Sequence, residues 1–225
     1  MDNSKLHHLI LRHLIDDGYA PDLRALAQET SLTEGEMAEA LRSLAEYHGV
    51  VLHPHTPEVW VIHPFSTAPT NFLVKNGKGE WWSNCAWCAL GAAVLLGGDV
   101  TIRTTLGAVG KQVELHIVNG ILLETDYVVH FPVPMAKAWD NVIYTCSLMQ
   151  LFEDEAQVDA WCQRHGIAKG DVQTAQKVWE FSKAWYGKHL DADWQKWTSA
   201  EASQIFAQLG LTGPIWEIGE GRERF

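Results

Sequence analysis

The stretch Trp81-Trp82-Ser83-Asn84-Cys85-Ala86-Trp87-Cys88-Ala89-Leu90-Gly91 joins a strand to an apolar helix, and the fold is read outward from it. Upstream, Phe72 to Val74 and Glu80 to Trp82 flank Lys75-Asn76-Gly77-Lys78-Gly79, which predicts a hairpin. Downstream, Ala86 to Leu96 is an uninterrupted apolar run that ends at Gly97-Gly98, the pattern of a buried helix. Cys85 and Cys88 stand three apart at the start of that helix, so both thiols can share one face near the positive end of the helix dipole. That position favours thiolate, the form that attacks and binds soft metals. A cysteine pair at this spacing also occurs in zinc sites and redox-active dithiols.

Strands are predicted beyond the helix. Val113, Leu115 and Ile117 alternate with polar residues, and Asn119-Gly120 is a two-residue turn into Ile121 to Leu123. Val128 to Phe131 and Val142 to Leu148 read as further strands, which puts Cys146 in an apolar strand. The tail reads as helices over Asp154 to His165, Asp171 to His189 and Ser199 to Leu209. Before the hairpin, Leu6, Leu9, Ile10 and Leu14 recur at helical spacing up to Gly18. Asp22 caps a second helix through Thr30, and Thr33 with Glu36 forms a capping-box pattern at the start of a third. Val50 to Leu52 and Val59 to Ile62 complete a winged-helix-like pattern, and Pro64 to Pro69 reads as a linker. The expected class is therefore α+β, with a helical module over residues 1–65 and a domain of short antiparallel strands and helices over 66–225.

A winged helix suggests DNA, but the third helix carries Glu34, Glu36, Glu39 and Glu46 against Arg42 alone, and the chain has a formal charge of −11. Such a surface repels phosphate, so nucleic acid is not an expected partner and a structural or subunit-contact role suits the module better. No apolar run approaches membrane-spanning length and the first residues lack a signal-peptide pattern, so a cytoplasmic location without membrane association is expected. In that compartment the four cysteines read as thiols or metal ligands, not disulfides.

The run Ala86-Trp87-Cys88-Ala89-Leu90 is similar to the motif of the alkylmercury lyase (organomercurial lyase) family that holds its first catalytic cysteine. A second cysteine of that family precedes a tryptophan-containing helix, and Cys146, before Trp161 and His165, sits in the matching place. Weaker likeness continues through Phe181 and Lys188-His189-Leu190, so the resemblance spans about Asn71 to Leu190, and the family's N-terminal module fits the predicted helices.

The resemblance implies that two thiolates bind an organomercury compound and push electron density toward its carbon, which a nearby acid then protonates. Mercury is soft, and thiolate is the side chain that competes for it best. In the family the proton relay involves an aspartate three residues after the first cysteine, whereas this chain has Gly91 there. The expected site is therefore Cys88 and Cys146 on the metal, with Cys85 as an added ligand and as the supplier or relay of the proton; Asp99, Asp126 and Asp140 are further acids that could reach it. No cofactor is required. The alternatives are a non-catalytic thiol site for zinc, copper or mercury, and a thiol-disulfide oxidoreductase. Cys162 reads as helix packing and His116 as a solvated strand residue. Trp179, Trp185, Tyr186 and Trp194 are candidates for an aromatic pocket around an organic substituent.

Overall fold

The computed structural model describes residues 1–219; the end of the 66–225 segment, residues 220–225, lies outside the described residues. The chain opens with helices α1 (Asn3–Asp17), α2 (Leu23–Thr30) and α3 (Glu34–Glu46). Each begins where a capping side chain accepts first-turn N–H groups: Asp2, Asp22 and Thr33, the last in a reciprocal box with Glu36. Gly18, at φ 85°, takes the left-handed turn that ends α1. Leu6, Ile10 and Leu14 of α1 and Met37, Leu41 and Leu44 of α3 are buried at helical spacing and join the core.

Strands β1 (Val51–Leu52) and β2 (Val59–Ile62) pair antiparallel. The Pro64 to Pro69 segment, expected as a linker, contains β3 (Phe65–Ser66), which bridges β2 and the hairpin strand β5 (Gly79–Ser83). Two paired residues between prolines carry no period to read, and their partners come from elsewhere in the chain. One antiparallel sheet thus runs from the N-terminal strands through β5 and its partner β4 (Phe72–Asn76) to β6 (Val100–Thr105), β7 (Gln112–Val118) and β8 (Ile121–Leu122). Helix α4 (Ala86–Leu96) packs on β4, β5 and β6. Nine of its eleven residues are buried, so it is a core helix on every side.

A second antiparallel sheet sets β9 (Val128–Phe131) between β10 (Leu151–Phe152) and β11 (Asp171–Thr174). Around it lie α5 (Val142–Leu148), α6 (Glu155–His165), α7 (Ala175–Tyr186) and α8 (Ser199–Gln208). The class is α+β, as expected.

Two local expectations are corrected here. Val142 to Leu148 is a helix, not a strand: the Asn141 side chain caps it by accepting Tyr144 N–H at 3.0 Å, and Val142, Thr145 and Cys146 are buried at helical spacing. Its valine, isoleucine, tyrosine and threonine favour strands, and the cap with its buried face overrides that preference. Asp171 to Thr174 is a strand where a helix start was expected. Its backbone pairs with β9, the Asp171 carboxylate accepts the Trp216 indole N–H at 2.5 Å, and Thr174 is the true cap of α7. A single hydrophobic cluster joins α1 and α3 to α4 and α7, and the Trp81 indole donates to Leu14 O at 2.7 Å.

Candidate active site

Cys85 is the N-cap of α4. Its backbone is extended, at φ −155° and ψ 179°, and its sulfur accepts the Cys88 N–H at 3.3 Å. The three-residue spacing is therefore realised as a cap and the first-turn residue it caps. The end of α5 is tied to this turn, since Ala86 N–H donates to Met149 O at 3.0 Å, and that bond brings Cys146 alongside Cys88. His63, just after β2, completes the group: its Nε2 lies 3.8 Å from the Cys146 sulfur, and one ligand atom each from His63, Cys88 and Cys146 fall within 4.8 Å of one another. Cys85, expected beside them as a ligand, has no exposed surface and does not line the cavity, while its thiol is hydrogen-bonded to both Cys88 and Cys146.

Gly91, one turn after Cys88, faces α7. A Cβ there would stand 2.3 Å from Cδ2 and 2.4 Å from Cε2 of Tyr186. Without a side chain at this position α4 and α7 close until the Tyr186 ring lies against the α4 backbone, and the phenol oxygen comes within 3.6 Å of the Cys88 sulfur.

His63, Cys88, Cys146 and Tyr186 all line one cavity of about 50 Å³. One water needs about 10–15 Å³ by the same measure, so a metal ion with a small organic substituent fits. Trp87, Trp139, Trp185, Trp194 and Trp197 also line the cavity. Among the described residues no aspartate or glutamate lines it, so Asp99, Asp126 and Asp140 are off its wall, Asp140 directly after the wall residue Trp139. Lys196 brings the cation: its ammonium lies 3.5 Å above the Trp139 ring and donates to His48 O at 3.3 Å.

Burial pushes the Cys88 thiol up, but hydrogen bonds with Cys146, Cys85 and His63 outweigh it and hold the thiol well below the usual range. Cys85 is pushed up by burial and by its bond to Cys88. Cys146 is raised by its bonds to Cys85 and Cys88 and then by burial. Of these three hydrogen-bonded thiols, Cys88 is the one whose surroundings favour the thiolate. Burial also lowers His7 to about 3 and His189 well below its ordinary value, so these two of the four imidazoles at the cavity are neutral.

Of the other singled-out residues, Trp185, Tyr186 and Trp194 line the cavity, while Trp179 points away and donates to Gly120 O at 3.3 Å. Cys162 is buried 3.8 Å from His130 Nε2, outside the cavity. His116 is half-exposed and bonded to Glu124 at 2.8 Å. His63, His7 and Lys196 carried no sequence signal, and His189 only a weak family likeness, because only the packing of α1, β2 and the segment after α7 against α4 makes them neighbours.

A protein-family model described as MerB, alkylmercury lyase, matches residues 65–187, more than half of the chain. Among solved structures, one titled the crystal structure of the mercury-bound form of MerB2 matches with a TM-score of 0.67 and 22% sequence identity, over 83% of this chain and 92% of that one. No curated protein matches.

Proposed function

Since the chain belongs to the alkylmercury lyase family, we propose that it captures organomercury compounds on Cys88 and Cys146 and cleaves the carbon–mercury bond by protonolysis. The observation that carries this reading is the placing of the Cys88 and Cys146 sulfurs, with His63, on the wall of a tryptophan-lined cavity. Cys88, the thiol held ionised, displaces the outgoing ligand of the mercury compound. Cys146 gives up its proton and adds as the second sulfur, with His63 Nε2 beside it at 3.8 Å. The two sulfurs raise electron density on the mercury-bound carbon, which takes a proton and leaves as hydrocarbon, and mercury stays on the thiolates. The tryptophans hold the organic group and keep bulk water from the sulfurs. Cys85, expected from sequence to bind the metal and relay the proton, stands behind Cys88, where its S–H supports the Cys88 thiolate as the cap of α4.

The test is incubation with phenylmercury, measuring protein-bound adduct by mass spectrometry and benzene in the headspace. Wild-type protein is expected to bind one equivalent and release benzene. Cys88→Ser should lose capture at the site, and Cys146→Ser should hold the adduct without releasing benzene. Capture without release by the wild type would leave the second reading, a non-catalytic soft-metal site. The His63, Cys88 and Cys146 group favours that reading with three ligands, and metal content after purification checks it directly. A thiol-disulfide exchange role needs both sulfurs of the Cys85 and Cys88 pair within reach of a partner disulfide, whereas Cys85 is 0% exposed and does not line the cavity.

A further inference from the structure

Protonolysis needs a proton donor facing the carbon, and no carboxylate lines this cavity among the described residues. The proton-bearing groups that touch a ligand sulfur are few. Cys85 meets Cys88 from behind the wall, His63 Nε2 meets Cys146 at 3.8 Å, and the Tyr186 hydroxyl meets Cys88 at 3.6 Å. His63 and Tyr186 both line the cavity and meet the sulfur that first takes the mercury, but His63 is one of the three groups placed to hold the metal, which leaves Tyr186 as the proton-bearing wall group outside that set. Its place is built and not incidental. The ring is 1% exposed, lies 5.5 Å from the Trp87 ring and 4.9 Å from the His189 ring, and occupies space that any side chain at position 91 would fill.

We propose that the Tyr186 hydroxyl is the catalytic acid of this chain, handing its proton to the mercury-bound carbon from the space Gly91 leaves open. The inference rests on the lyase reading above. In the step, the carbon–mercury bond breaks and its electron pair takes the Tyr186 proton, so a carbon–hydrogen bond forms and a phenolate is left. The proton that Cys146 sheds on becoming the second thiolate ligand is taken up by His63 Nε2, 3.8 Å away, and after cleavage it restores the phenol, so no net proton is gained or lost. Summed, the organomercury cation, the Cys88 thiolate and the Cys146 thiol give hydrocarbon and a neutral mercury bis-thiolate. No oxidant or reductant enters.

The experiment is single-turnover cleavage of phenylmercury by the full chain and by Tyr186→Phe, which keeps the ring packed over Gly91 and removes only the hydroxyl. Bound phenylmercury and released benzene are measured together, and thermal melting with circular dichroism confirms that the variant folds. Tyr186→Phe is expected to bind one equivalent as the wild type does and to release benzene at least about 100-fold more slowly, the scale of a lost general acid. Unchanged release from Tyr186→Phe would overturn the assignment, as would unchanged release there together with loss in Cys85→Ser, which would place the donor at Cys85. A wild type that binds phenylmercury and releases nothing would overturn the lyase reading and this proposal with it. Release by the wild type and equally by Tyr186→Phe would overturn the tyrosine alone.

Discussion

Replacing Gly91 by alanine tests whether Tyr186 is held where the site needs it. At an ordinary helix-interior position the change stabilises by about 1 kcal/mol, because alanine restricts the unfolded chain and has the higher helix propensity. Here the new Cβ would stand 2.3 Å from Tyr186 Cδ2 and 2.4 Å from Cε2. Carbon–carbon contacts prefer about 3.5–4.0 Å, so the ring or α4 must shift by more than about 1 Å. The ring is buried between Trp87 and His189 and has little room to yield. Overpacking of this kind costs about 1–3 kcal/mol. The net expectation is a loss of up to about 2 kcal/mol, a fall in melting temperature of roughly 4–8 °C for a chain of this size. In a Tyr186→Ala background the clash is gone and Gly91→Ala should stabilise by about 1 kcal/mol. The double-mutant cycle, followed by urea or thermal unfolding, should therefore give a coupling of about 1–3 kcal/mol. If Gly91→Ala stabilises the wild-type chain as much as the Tyr186→Ala chain, the coupling is zero and the close approach of α4 and α7 at this point is refuted.

The remaining predictions are a pH profile and a cap. His7 is held at about 3 in the folded chain, mainly by burial, against an ordinary value of 6.5. Because the unfolded chain binds this proton more readily, the stability it contributes is full above about pH 6.5 and falls with decreasing pH down to about 3, at roughly 1.4 kcal/mol per pH unit. His189 is lowered in the same direction, so chemical denaturation at pH 7, 6, 5 and 4 should show a steep loss, and His7→Phe should flatten it; a flat wild-type profile would contradict the burial of these imidazoles. Asn141→Ala removes the cap of α5 and should cost about 1 kcal/mol of stability. It should also slow hydrocarbon release from captured organomercury, because α5 carries Cys146; unchanged release would mean that the Ala86 to Met149 bond is enough to place that sulfur.

The parts of the molecule governed by local rules were legible in the sequence. Asp22, Thr33, Glu36 and Gly18 mark helix ends by hydrogen bonding and backbone freedom that act within one turn, and α4 was read to its last residue for the same reason. The misread pieces are those where distant partners decide. Residues 142 to 148 have strand-forming side chains but lie against a surface that rewards helical spacing, and residues 171 to 174 follow β9 instead of continuing back from α7. Cys88 and Cys146 were identified by resemblance, and the structure adds their neighbours. His63 is far from both in sequence, and the part played by Gly91 is visible only as the space it yields to Tyr186, ninety-five positions later.

The central claim is that carbon–mercury cleavage here is protonolysis at paired thiolates. It is tested most directly by single-turnover cleavage of phenylmercury in D2O, with the headspace gas analysed by mass spectrometry and inorganic mercury counted on the protein. The expected result is one equivalent of singly deuterated benzene, with the mercury retained by Cys88 and Cys146. Phenylmercury that stays intact on the protein, or benzene that carries no deuterium, would contradict it.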